Sequence, residues 1–218
     1  MIDELLPPVV VAEEAFADPA GVRLFPEEDA NVARAVASRR SEFTTTRHCA
    51  RTALRRLGLA PAAILPGERG APQWPPGVVG SMTHCVGYRA AAIADQREVV
   101  TVGIDAEPHE RLPVDVLRFV TVAEERLMLA RLAAGAPTVC WDRLLFSAKE
   151  SVYKAWFPLT RKWLDFDETE VVIDPQGGRF TAQLLVPGPV IGGRRQQEFE
   201  GRYVVRSGLI VTAMTVTP

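Results

Sequence analysis

Apolar residues recur at helical spacing in two early stretches, Glu28 to Ser38 (Val32, Ala35, Val36) and Ser41 to Leu57 (Phe43, Ala50, Ala53, Leu54, Leu57), and Gly58 ends the second. Residues 1 to 28 keep no sustained period and read as an irregular leader with one short element. The span Ala60 to Gly80 carries five prolines and four glycines and reads as a loop, at a length typical of functional loops. Val78 to Thr83 and Arg89 to Ala94, flanking Cys85-Val86-Gly87, read as two short strands around a turn, and Val99 to Asp105 as a strand that ends at an acid. Helical spacing returns at Val114 to Phe119, Ala123 to Ala133 and Val139 to Trp156. Four strand-like runs then close the chain: Glu170 to Ile173, Arg179 to Val186, Glu198 to Val205 and Leu209 to Val216. Helices followed by strands, twice over, predict an α+β fold of two similar halves, divided as residues 1–103 and 104–218.

At 218 residues and 47% hydrophobic, the chain is long enough to bury a sizeable core. Its net charge of -2 supplies no bulk attraction to nucleic acid or anionic lipid, so neither is an expected partner. No apolar run reaches the roughly 20 residues that cross a bilayer. Met1-Ile2-Asp3-Glu4 places acids where a secretory signal has a basic region, and a cytoplasmic location is expected. Cys49, Cys85 and Cys140 form no CxxC pair and are expected to be reduced.

The charge is unevenly spread. Between Asn31 and Gly70, eight arginines face only Glu42 and Glu68, a local excess of +6. That stretch reads either as a solvated helical face or as a basic face for a polyanionic small molecule. Lysine is rare, confined to Lys149, Lys154 and Lys162, and the first two flank Glu150. An ammonium is a compact charge suited to phosphate, where a guanidinium is a rigid fork.

Asp105 and Glu107, two apart in an extended segment, point to the same side. Two carboxylates there suit Mg2+, which takes one or two carboxylates and completes its shell with water and phosphate; a solvated turn or a helix cap is the alternative reading. Glu150 and Lys154 lie one helical turn apart. Either they form an ordinary surface pair, or, given Phe146, Val152, Tyr153 and Trp156 around them, they sit at a core edge. His84, at a strand tip after Gly80-Ser81-Met82-Thr83, is a candidate phosphate ligand or a structural histidine. The chain has no P-loop, GxGxxG, HExxH or G-x-S-x-G motif.

Val102-Gly103-Ile104-Asp105-Ala106-Glu107 and Phe146-Ser147-Ala148-Lys149-Glu150-Ser151-Val152-Tyr153-Lys154 together resemble the paired signatures of the 4'-phosphopantetheinyl transferase superfamily. Gly70-Ala71-Pro72 with Trp74-Pro75, the Gly80 to His84 segment and Arg47-His48-Cys49-Ala50-Arg51 extend the likeness over about residues 38 to 165. It is similar to the monomeric, surfactin-synthetase-activating type, particularly its actinobacterial members. The resemblance implies two pseudo-equivalent halves with coenzyme A held between them. It also implies transfer of the phosphopantetheine arm to a serine of an apo carrier protein, with release of 3',5'-ADP. Fatty-acid, polyketide and nonribosomal peptide carriers are all compatible. By the same resemblance Asp105, Glu107 and Glu150 hold Mg2+, Lys154 contacts the pyrophosphate, and Arg39, Arg47, Thr83 and His84 meet the nucleotide. Ala71 and Pro66 stand where relatives carry basic residues, and Arg69 is the candidate to compensate. Glu150 and Lys154 are the expected catalytic pair, Glu150 taking the serine proton directly or through a metal-bound water. Leu112 to Phe119, with Arg111 and Arg118, is the expected carrier-docking segment. A non-catalytic coenzyme A or carrier-binding homologue is the alternative reading, and a pyrophosphate hydrolase is a third.

Overall fold

In the computed structural model, which describes residues 1–218, the leader is part of the first sheet. Val11–Ala15 (β1) pairs antiparallel with Tyr88–Asp95 (β5), which also pairs with Val78–Cys85 (β4), giving the order β1-β5-β4. The expectation of an irregular leader is corrected: the strand was masked because Glu13 and Glu14 break the apolar pattern. Glu13 pairs with Arg56, and Glu14 accepts a hydrogen bond from Tyr88.

The first expected helix is also corrected. Pro26–Asp29 (α1) is one turn, followed by a 3-10 turn to Val32, and the chain then resets at Val36, whose extended backbone (ψ 156°) opens Ala37–Arg56 (α2). Glu28 explains the break. Its fully buried carboxylate accepts Phe25 N at 2.9 Å, Arg51 Nη1 at 2.7 Å and Ile64 N at 2.8 Å, tying α1, α2 and the following loop at one point. A buried charge is tolerated when hydrogen bonds surround it in this way. Within that loop, Leu65–Pro66 (β2) and Pro72–Gln73 (β3) form a small antiparallel pair.

Thr101–Pro108 (β6) begins the second half, so the division expected between residues 103 and 104 falls inside a strand. Val114–Val120 (α3), Ala123–Gly135 (α4) and Trp141–Thr160 (α5) follow. Thr169–Asp174 (β7), Arg179–Leu184 (β8), the short pair Val190–Ile191 (β9) and Arg194–Arg195 (β10), Glu198–Arg206 (β11) and Leu209–Val216 (β12) complete the chain. The large sheet is antiparallel throughout, in the order β6-β12-β11-β8-β7. Ser207 and Gly208, both with positive φ, close the β11–β12 hairpin as its right-handed strand twist requires.

The edge strand β7 is shielded by α4. Val171 N donates to Glu125 Oε1 at 2.8 Å and Ile173 N to Met128 Sδ at 3.3 Å, so its outward amides are covered. Lys149 Nζ reaches the same buried Glu125 at 2.8 Å.

Between the two sheets runs a seam of another kind. β4 and β6 lie side by side in the same direction without a backbone ladder; Ile104 N donates to Ser81 Oγ at 3.2 Å and Ala106 N to Thr83 Oγ1 at 3.1 Å. Side-chain hydroxyls therefore stand where carbonyls of a paired strand would. Apolar packing crosses the seam too, with Tyr88, Ala90 and Ala92 of one half sharing a cluster with Val102, Ile104 and Val211 of the other. The architecture is α+β, one long helix packed on each sheet. No helix is long and apolar enough to cross a membrane.

Candidate active site

α5 approaches β6 unusually closely, and the sequence provides for it on both sides. Ser147, Ser151 and Ala155 recur at four-residue spacing, presenting one small-residue stripe. Opposite them is Gly103, where an added Cβ would stand 1.9 Å from the Ser151 carbonyl oxygen. Ser147 Oγ donates to Asp105 Oδ2 at 2.8 Å, and Thr101 Oγ1 to the Ala155 carbonyl at 2.9 Å. The neighbouring stripe, Glu150 and Lys154, is thereby brought to the edge of β6.

Asp105 lies within β6, opposite Thr212, and not at the strand terminus expected; pairing with β12 continues as far as Pro108. Its carboxylate is buried, with Lys154 Nζ at 2.7 Å and Thr83 Oγ1 at 3.3 Å from Oδ1. Lys154 also donates to the Ile104 carbonyl at 3.1 Å. Glu107, two residues on, pairs with Arg143 at 3.0 Å. Burial, and then the nearby Asp105 charge, pushes the Glu107 carboxyl up to about 7 despite that arginine. Glu150 has no hydrogen-bond partner, and burial followed by Asp105 raises its pKa as well.

The Asp105 charge thus opposes ionisation of both glutamates, and no three acid, histidine or cysteine side chains converge closely enough to hold a metal ion. The chemistry of the three acids still fits one. Two half-buried carboxyls penalised for ionising, one of them without a partner, match a divalent cation whose remaining ligands are phosphate oxygens. A cation on Asp105 Oδ1 would share that oxygen with Lys154.

Glu150 and Lys154 line a cleft of about 690 Å³ bounded by residues 67–74, the first half of β4 and the last turns of α5. Arg69, in the left-handed region at φ 52°, also lines it, with its guanidinium 4.9 Å from the Trp163 ring. A smaller recess of about 90 Å³ continues beyond Glu150, where the hydroxyls of Tyr153 and Thr169 are buried without partners.

Further along β4, His84 contacts Arg39 through Nε2, and its Nδ1 lies 3.3 Å from Glu42 Oε2. Burial and Arg39 push this imidazole down to about 4. Arg47 is placed differently: its guanidinium is buried 3.3 Å from the Phe43 ring centroid, and Nε donates to the Ile64 carbonyl at 3.3 Å. Burial takes it down to about 10. Three other arginines of the basic stretch are paired with acids, Arg40 with Asp29, Arg51 with Glu28 and Arg56 with Glu13. Arg34, Arg55 and Arg69 stay exposed without an acidic partner, and Arg39 is the exposed arginine beside His84.

Lys149 points away from the site, donating to Glu125 and to the Phe166 carbonyl at 2.6 Å. Sequence reasoning missed Ser81, Ser147 and Arg143. Ser147 stood inside the α5 motif, three residues before Glu150, and its small-residue spacing was the available signal.

Two family models cover this architecture half by half. The 4'-phosphopantetheinyl transferase N-terminal domain matches residues 27–94, and the 4'-phosphopantetheinyl transferase superfamily model matches residues 101–205. Among curated proteins, the chain is 60% identical to the 4'-phosphopantetheinyl transferase Svp of Streptomyces mobaraensis, over 99% of this chain and 89% of that one. It is 44% identical to PptT of Mycobacterium tuberculosis (99% and 98% covered) and 45% to Npt of Nocardia iowensis (98% and 99%), both named 4'-phosphopantetheinyl transferases. With both halves matched and relatives this similar along nearly its whole length, the chain belongs to the 4'-phosphopantetheinyl transferase superfamily and is an enzyme of that type.

Proposed function

We propose that the enzyme moves 4'-phosphopantetheine from coenzyme A to a serine of an apo carrier protein in a Mg2+-dependent step centred on Asp105, Glu107, Glu150 and Lys154. The observation that carries this reading is the ion pair of buried Asp105 with Lys154 beside the unpartnered Glu150, with Lys154 and Glu150 lining the large cleft. Coenzyme A brings a pyrophosphate and a 3'-phosphate, so it needs two cationic centres. Lys154 serves the first, and Arg39 the second, with the neutral His84 beside it as a hydrogen-bonding partner; Thr83 lies between them on β4, and Arg47 is buried against Phe43 on α2. Arg69 lines the same cleft as Glu150 and Lys154. Bound Mg2+ supplies charge that offsets the pyrophosphate, with Asp105, Glu107 and Glu150 as its protein ligands.

In the transfer, the serine Oγ attacks the phosphorus that bears the pantetheine arm. A P–O bond forms to serine, the bond to the nucleotide breaks, and 3',5'-ADP leaves. Glu150, which has no hydrogen-bond partner and lines the cleft, takes the serine proton. Lys154 stabilises the charge gathering on the departing 5'-phosphate oxygen of 3',5'-ADP. Little else is needed, because phosphoryl transfer depends on alignment and electrostatics.

The carrier is assigned to α3, whose Val114, Val116 and Phe119 are exposed beside Arg111 and Arg118, while Leu112 turns inward. Exposed apolar groups flanked by two arginines suit an acidic helical partner. A monomer acting in the cytoplasm on fatty-acid, polyketide or nonribosomal peptide carriers is part of this proposal. The non-catalytic alternative is not favoured, since all three acids and Lys154 are present.

Incubation with coenzyme A, Mg2+ and an apo carrier, read by intact mass, tests the reading. The carrier gains the phosphopantetheine mass with the native enzyme, and Glu150→Gln loses on the order of 100-fold or more in turnover, the usual worth of a positioned base. Near-normal turnover by that variant removes Glu150 as the base. Free phosphopantetheine without carrier labelling would instead indicate a hydrolase.

A further inference from the structure

The segment between Glu107 and α3 is gripped at five places by the start of α5 and its N-cap residue Cys140. Arg143 donates to Glu107 Oε2 through Nη1 at 3.0 Å, to the Glu110 carbonyl through Nε at 3.0 Å, and to the Arg111 carbonyl through Nη2 at 3.2 Å. Beside it, Asp142 Oδ2 accepts Leu112 N at 3.0 Å and His109 Nε2 accepts Cys140 N at 3.0 Å. A guanidinium can do this because its donors leave one rigid plane in diverging directions; an ammonium, with its donors on one atom, cannot span three such acceptors. Both side chains of the Glu107–Arg143 pair are about four-fifths shielded, at 21% and 18% exposure, which sets this pair apart from an ordinary surface bridge.

Only one oxygen of Glu107 is engaged. Oε1 carries no hydrogen bond, so the carboxylate is held by Oε2 with its second oxygen open. We infer that Arg143 is a positioning residue for the transfer: it fixes the Glu107 carboxylate with one oxygen presented to the divalent cation, and by the same fork sets the backbone that leads into α3. This rests on the metal reading of the acids proposed above. Groups that orient metal-binding side chains from behind typically contribute 10–100-fold in metal affinity.

The inference is tested by measuring coenzyme A binding calorimetrically across a Mg2+ series. In the native protein binding strengthens with Mg2+, and Asp105→Asn removes that dependence. If native binding is the same with and without Mg2+, the metal reading itself fails, and this inference with it. Given a Mg2+-dependent native protein, Arg143→Lys keeps the charge and loses the fork, and the Mg2+ midpoint is expected to rise about tenfold. Arg143→Met raises it at least as far, with coenzyme A affinity at saturating Mg2+ nearly restored. Midpoints unchanged in Arg143→Lys, whatever its melting temperature, would make the residue a structural clip and overturn the inference. A midpoint that falls in Arg143→Met would show a guanidinium competing with the ion, which also overturns it. Should Arg143→Met fail to fold, Arg143→Lys alone decides.

Discussion

Lys154 Nζ sits 2.7 Å from Asp105 Oδ1, so in the ligand-free protein the buried acid of β6 is neutralised by a side chain from α5. Removing the ammonium leaves a carboxylate supported by hydroxyls alone. Lys154→Met is therefore expected to destabilise the ligand-free protein by about 1–3 kcal/mol, discounted for the partial exposure of the lysine. Added Mg2+ should recover more of that loss than it adds to the native protein. Thermal melts with and without the ion provide the check; equal responses in both proteins would place the cation elsewhere.

Gly103 sets the distance between α5 and β6. Because its Cβ would collide with the backbone oxygen of Ser151, Gly103→Ala has to push the helix away from the strand. Overpacking of this kind costs about 1–3 kcal/mol or more. Turnover should fall further than stability accounts for, since Glu150 and Lys154 ride on the displaced helix. Denaturant melts compared with turnover at a temperature where the variant is folded will show it.

The nucleotide end of the site makes a separate prediction. If Arg39 and His84 meet the 3'-phosphate, Arg39→Ala and His84→Ala weaken coenzyme A binding by about tenfold while leaving dephospho-coenzyme A nearly unaffected, the loss expected of charge-assisted hydrogen bonds. The comparison of the two ligands by calorimetry is the measurement. Equal losses for both would move the 3'-phosphate to another residue.

Lys149 and Glu125 form a buried pair away from the chemistry, the lysine pushed down and the glutamate up, in each case by burial first. Lys149→Met strands the glutamate charge and should cost about 3–5 kcal/mol, whereas Lys149→Met with Glu125→Gln should recover much of it. The pH response follows from the sign of the shift. In the single variant Glu125 binds its proton more tightly folded than unfolded, so stability is fullest in acid and is lost as pH rises through the folded pKa. Urea melts between neutral and mildly acidic pH should show the variant gaining stability on acidification relative to the native protein.

The α5 motif and the closing hairpins were legible in the sequence because their apolar periods are local. Phe146, Val152 and Trp156 declare a helix, and Ser207-Gly208 a turn, without reference to anything distant. What escaped was decided by partners far along the chain. β1 could not be read because Glu13 and Glu14 make sense only beside Arg56 and Tyr88. The helix expected from Glu28 gave way to a carboxylate clip joining Arg51 and Ile64. Asp105, Glu107, Glu150 and Lys154 were identifiable as candidates by type and spacing. Their mutual orientation was not, because it depends on Gly103 meeting Ser151 and on Arg143 reaching Glu107.

The β4–β6 seam carries a consequence for divergence. Two sheets joined by Ser81 and Thr83 hydroxyls, and not by a ladder of main-chain bonds, can have their spacing retuned one oxygen atom at a time while each sheet stays whole. The breadth of the ligand groove is in that sense an inherited variable set by side-chain identity, open to drift without refolding either half.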